Sequence, residues 1–161
     1  MHETIAVAGT GAGTTEKTAR ILVIDGQGGG LGRSVIEQLK QAKCACEIAA
    51  AGTNSAATAA MLKAGADYAA TGENAVIYNT KRANIIIGAI GICIANSMRG
   101  EISPDIAGAV CGSEAVKILI PVPAAKCNIN IMGVTEKPMA QYIAEAVGKI
   151  KKLTENPEEL I

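Results

Sequence analysis

The chain has no tryptophan and no phenylalanine, and only three tyrosines among 161 residues. Its core must therefore be built from Ile, Val, Leu, Ala and Met. Platforms for stacking bases are missing as well, which argues against a nucleic-acid partner. No excess of one charge exists: 15 basic residues balance 15 acidic ones, without a basic stripe. The one histidine is His2, close to the first residue, so a histidine-based acid–base or metal mechanism is all but excluded.

Long hydrophobic runs are absent too. The longest, Ala83–Met98 (ANIIIGAIGICIANSM), is broken by Asn84, Gly88, Gly91 and Asn96 and falls short of the ~20 residues of a membrane span. It reads as a buried parallel strand followed by a tight turn, and no membrane partner is expected. No secretory signal is recognisable. The five cysteines (Cys44, Cys46, Cys93, Cys111 and Cys127) make an odd set for a disulfide framework and suit a reducing, cytoplasmic setting. Cys44-Ala45-Cys46 lacks the second pair of ligands that zinc sites show, so no metal is expected.

What the chain does have is a stretch around which the rest is organised, Ile21–Leu39 (ILVIDGQGGGLGRSVIEQL). Four β-formers end at Asp25, glycine then takes five of the seven positions 26–32, and an amphipathic helix follows with Leu31, Val35, Ile36 and Leu39 on one face. Strand, glycine loop and helix in that order form the phosphate site of parallel α/β domains.

Strands are expected at Ile21–Asp25, Glu47–Ala51, Ala66–Ala70, Asn84–Gly88, Lys117–Pro121 and Asn128–Val134. Helices are expected after the loop and at Ser55–Ala64, Ala75–Lys81, Ser103–Gly112 and from Pro138 onward. Thr71 is a candidate cap for the helix that follows it, and Ser103-Pro104 is a cap followed by proline at the first helical position. The last helix carries Met139, Tyr142, Ile143, Ala146, Val147, Ile150 and Leu153 at helical spacing. Alternation of this kind predicts an α/β three-layer sandwich with a mostly parallel, Rossmann-like sheet. The connection 122–127 is too short for a crossover helix, so the last strand pair is expected to be antiparallel. The domain is expected over 20–153. Residues 1–19 read as a flexible or vector-derived leader, with an extra edge strand at Ile5–Gly9 as the alternative, and 154–161 as an acidic tail.

The loop places Gly26, Gln27, Gly28, Gly29, Gly30, Leu31 and Gly32 where backbone amides and a helix dipole can meet an anion, with Arg33 in reach of a phosphate. The plain alternative is a tight strand-to-helix connection, although so many glycines exceed what a connection needs. Gly52, Thr53, Asn54 and Ser55 end the second strand without a carboxylate, which disfavours NAD and favours a 2′-phosphate, as in NADP, or a smaller phosphorylated ligand. Thr53–Ser55 serve equally well as a helix cap. Gly88 and Gly91 follow the fourth strand, and Asp25 and Glu73 sit at strand ends as candidate catalytic carboxylates. Asp25 can instead cap the glycine turn. Cys127, beside Lys126, is a further candidate nucleophile.

The strict GxGxxG pattern fits no frame. Gly26, Gly30 and Gly32 instead make G-x-x-x-G-x-G, which resembles the cofactor loop of short-chain dehydrogenases. The rest of that family's signature is missing, because Tyr78 and Lys81 are one residue too close for Tyr-x-x-x-Lys. A longer resemblance runs through Ile21–Gly32, Gly52–Asp67 (GTNSAATAAMLKAGAD), Thr71–Ile77 (TGENAVI), Ile85–Ile92, Gly100–Ser103 (GEIS) and Lys117–Val122 (KILIPV). On these segments the chain is similar, over Arg20–Ile150, to a family of short uncharacterised bacterial proteins, a domain of unknown function. That resemblance implies boundaries and no chemistry. The expectation is a binding module for a nucleotide or other phosphorylated small molecule. The alternatives are a small enzyme using Asp25, Glu73 or Cys127, or a structural homo-oligomer, and a homodimer is compatible with each.

Overall fold

The computed structural model describes residues 18–122, 129–156 and 158. Ile5–Gly9, nearly all of the expected leader, and Cys127 lie outside these residues.

The elements in order are β1 (Ala19–Asp25), α1 (Gly30–Gln41), β2 (Cys46–Gly52), α2 (Ser55–Lys63), β3 (Tyr68–Thr71), α3 (Glu73–Thr80), β4 (Ile85–Ala89), α4 (Pro104–Gly112), β5 (Val116–Ile120) and α5 (Met139–Glu155). The five strands form one sheet in the order β3-β2-β1-β4-β5, with every pairing parallel. Helices cover both faces, so the central strands are buried on both sides and their sequences run apolar without alternation.

Strand β1 shows how the sequence produces the layers. Ile21 and Val23 point to one face and join Val35, Ile36 and Leu39 of α1, Met61 of α2 and Ile143, Val147 and Ile150 of α5. Leu22 and Ile24 point to the other, against Val76 of α3, Ile92, Ile102, and Ile106 and Val110 of α4. All four β1 side chains are fully buried, each contributing roughly 1.5–3 kcal/mol of transfer free energy. Local chemistry sets the helix ends. Asn54 caps α2 by accepting from Ala57 N at 2.9 Å, and Ser103 caps α4 by accepting from Ile106 N at 3.1 Å with Pro104 at the first turn. Among the described residues no helix is long and apolar enough to cross a membrane.

Three expectations are corrected. The antiparallel last pair does not form among the described residues, since β5 lies parallel beside β4 and residues 129–134 are turn and coil. The apolar alternation of Asn128–Val134 serves another purpose, because Ile129 and Ile131 face a cavity. The cap of α3 is Gly72 at φ 101°, not Thr71, whose hydroxyl instead donates to Thr58 Oγ1 at 2.7 Å. Helix α5 continues to Glu155, into the segment expected as tail.

The chain runs β1-β2-β3 to one side with α1 and α2 on one face, then returns to β4 and β5 with α3 and α4 on the other. The loops leaving β1 and β4 therefore diverge to opposite faces. Between them opens the crevice in which doubly wound sheets bind ligands.

Candidate functional site

The loop between β1 and α1 is held from below by Asp25. Its Oδ1 accepts from Gly26 N at 2.8 Å and its Oδ2 from Gly32 N at 2.7 Å. Gly29 N donates to Gly26 O at 3.0 Å. Asp25 is thus the internal cap of the glycine turn, only 6% exposed. Burial pushes its carboxyl above the usual carboxylate range against the pull of those amides, and the negative charge of Glu101 adds to the rise.

The glycines of the loop differ in what demands them. Gly29 has φ +69°, and a Cβ there would lie 2.7 Å from Ala57 Cα, so both conformation and the approach of α2 require glycine. A Cβ on Gly26 would stand 2.5 Å from Glu101 Oε2 and 3.1 Å from Met98 Sδ. Gly28 and Gly30 are under no such demand. Neither has a positive φ, and a Cβ on either would meet nothing within 4 Å. Among the described residues their N–H groups have no acceptor.

On the β2 side the loop is closed by Glu101. Its Oε2 accepts from Gln27 N at 2.8 Å, from Asn54 Nδ2 at 3.1 Å and from Thr53 Oγ1. Asn54 Nδ2 also donates to Gln27 O at 2.9 Å. Partial burial pushes the Glu101 carboxyl up, but the bonds from Thr53, Gln27 and Asn54 outweigh it and hold the group below the usual range. Glu101 is therefore ionised at neutral pH. It arrives on a tight excursion, 96–102, closed by Asn96 N to Ile102 O at 2.7 Å and by the buried Ser97, whose hydroxyl donates to Gly91 O. Asn96, Met98 and Arg99 lie there at φ 66°, 52° and 59°. The left-handed region costs a non-glycine residue about 1 kcal/mol, and such strain gathers at ligand sites and switches.

On the β4 side lies a cavity of about 240 Å³. Its floor is the backbone of Asp25–Leu31, and its walls are Ala89–Gly91, Ile94, Met98, Val122, Ile129 and Ile131. The walls are mostly aliphatic, and among the described residues the lining carries no lysine or arginine. Polar recognition there falls to backbone groups and to the N-terminal end of α1.

Of the residues singled out in sequence, Gly26–Leu31 and Gly91 line the cavity. Gly32 sits beneath the loop against Asp25, and Gly88 packs on Ile24 O of β1. Thr53 and Asn54 are taken up by Glu101, and Ser55 is exposed at the start of α2. Arg33 turns along the outside of α1 to pair with Glu37 at 2.8 Å. Glu73 stands exposed in the first turn of α3, away from the cavity. The structure does not bring Asp25 and Glu73 together around one pocket. Among the described residues no three His, Cys, Asp or Glu are grouped to hold a metal. Burial pushes the Cys46 thiol up to about 11, and Cys93, beside Cys111, likewise to about 11.

Glu101 is the residue that sequence reasoning missed. Its bond to Gln27 spans 74 positions, and the only signal was its place in the Gly100–Ser103 motif. It also corrects a premise, because the end of β2 has a carboxylate after all, delivered from another segment.

A family model described as a domain of unknown function (DUF3842) matches residues 20–155. No curated protein matches the chain.

Proposed function

Since the chain belongs to that family, whose description names no activity, we propose its role from the crevice itself: it binds a phosphorylated small molecule between the glycine loop and the segment after β4. The observation that carries this reading is the pair Gly28 and Gly30. Neither packing nor backbone conformation asks for glycine there, yet both line the cavity with amides that have no partner among the described residues. Bare backbone at a cavity floor lets a ligand oxygen come within hydrogen-bond distance of N–H groups. The first turn of α1 adds its partial positive charge at the same place. The aliphatic walls then hold the body of the ligand by burial.

The arrangement also says what such a ligand must overcome. Asp25 lies under the loop and Glu101 beside it, and among the described residues no cationic side chain lines the cavity. Affinity for a phosphate should therefore rise as pH falls and these carboxylates take up protons. Calorimetry with a panel of phosphorylated metabolites, run on the natural chain and on Gly28→Ala and Gly30→Ala, tests the reading. The expected result is binding that either methyl group weakens about tenfold or more. A flat response across the panel, or binding indifferent to both methyls, removes the proposal.

A further inference from the structure

A dinucleotide on a doubly wound sheet straddles the loop after β1, with one half over the end of β2 and the other toward β4. The two halves of this crevice are not equally open. The β4 half is the cavity, whereas the β2 half is filled by the protein's own chain. Building on the phosphate-binding reading above, we propose that Glu101 is the specificity-determining residue of the site: its carboxylate occupies the place of a dinucleotide's second half and confines the crevice to ligands of mononucleotide size.

Three observations carry this. Thr53 and Asn54, the groups at the end of β2 that would meet a ribose, both donate to Glu101 Oε2. The same oxygen takes the loop amide of Gln27, so one donor of the loop is already committed to an internal anion. Met98 and Glu101 also press so close to Gly26 that a single added carbon there would collide. No room remains between the loop and the excursion 96–102 for a second nucleoside. The excursion is fixed as well, through Asn96 N to Ile102 O and the hydroxyl of Ser97 to Gly91 O. Charge works in the same direction, because a carboxylate at this position repels the 2′-phosphate that distinguishes NADP. NADP, the cofactor favoured by the apparent absence of a carboxylate at this strand end, does not fit the residues that are there.

The remaining space agrees. About 240 Å³ lies below the roughly 300–1,000 Å³ common for pockets that hold drug-sized ligands. It suits one ring system with its phosphate.

Titration calorimetry of the natural chain, Glu101→Gln and Glu101→Ala with AMP, FMN, NAD and NADP tests the assignment. The Gln variant keeps the shape of the side chain should the Ala variant fail to fold. The natural chain is expected to take a mononucleotide and neither dinucleotide. Glu101→Ala is expected to gain about tenfold or more for NAD, and Glu101→Gln, which removes the charge but keeps the bulk, to gain less. Hydrogen exchange at the Gln27 amide should speed up in both variants, while the Gly32 amide, held by Asp25, keeps its protection. Dinucleotide binding by the natural chain equal to that of the variants overturns the assignment, as does unchanged Gln27 protection. A mononucleotide bound by the natural chain with no dinucleotide gain in either variant overturns the role of Glu101 and leaves the crevice standing. Variants that gain NAD while the natural chain ignores both mononucleotides overturn the confinement to mononucleotide size and leave Glu101 as the barrier to a dinucleotide.

Discussion

On the β2 side of the glycine loop, polar groups are spent on one another: Thr53, Asn54 and the amide of Gln27 converge on Glu101. On the β4 side the walls are aliphatic, and the amides of Gly28 and Gly30 find no acceptor among the described residues. Both flanks belong to one loop with one helix dipole behind it. The difference shows that a glycine-rich turn is not a single device. Gly26 and Gly29 are glycine because neighbouring chain comes too close for a side chain. Gly28 and Gly30 have open space beside them and are candidates for a ligand's approach. Substitution should separate the two kinds, since structural glycines lose stability and the others lose only binding.

The largest effect is expected at Gly29. Alanine there combines a left-handed backbone with a Cβ 2.7 Å from Ala57 Cα, and Gly29→Ala should cost about 3 kcal/mol or more in urea unfolding. Asp25→Ala comes next. It leaves the amides of Gly26 and Gly32 without their acceptor, a loss of about 2–3 kcal/mol by the same measurement.

Smaller is the pH dependence, in which the two carboxylates run in opposite directions. Burial raises the folded pKa of Asp25, so its contribution is full below the unfolded value, about 4, and is lost as pH rises through the raised folded value. Hydrogen bonds lower that of Glu101 despite the opposing effect of burial. Its contribution is therefore full above the unfolded pKa and lost as pH falls through the lowered folded value. Unfolding midpoints followed upward from pH 4 should show Asp25→Asn gaining on the natural chain. Followed downward, they should show Glu101→Gln gaining on it.

Gly30→Ala sharpens the contrast from the other flank. At the first position of α1, with nothing near its Cβ, alanine should leave stability unchanged or raise it by up to about 1 kcal/mol, while phosphate-ligand affinity falls. The smallest effect belongs to Arg33→Ala. The guanidinium is exposed and engaged with Glu37 on the same helix, so neither the unfolding midpoint nor ligand affinity should move measurably.

The frame of the molecule was legible because its signals are local. The apolar runs of β1 and β4, the caps Asn54 and Ser103, and the spacing of Ile143, Val147 and Ile150 each act within one element. The misreadings come from places where distant chain decides. Asn128–Val134 has the alternation of a strand, but Ile129 and Ile131 spend it on the cavity wall. Thr53 and Asn54 look free at a strand end, and their partner Glu101 lies 48 and 47 positions further along the chain. Arg33 has the right spacing to reach a phosphate, yet its side chain follows the helix surface to Glu37. Spacing shows which backbone a residue belongs to, and not which neighbour its side chain will meet.

The asymmetry of the two flanks is tested most directly by following backbone amides in a ¹⁵N–¹H NMR titration of the natural chain with AMP and FMN. The largest shifts are predicted at Gly28, Gly30 and Leu31 and along Ile90–Ile94, with Thr53–Ser55 unmoved. Shifts centred on Thr53–Ser55, or amides at Gly28 and Gly30 that ignore both mononucleotides, would contradict the account.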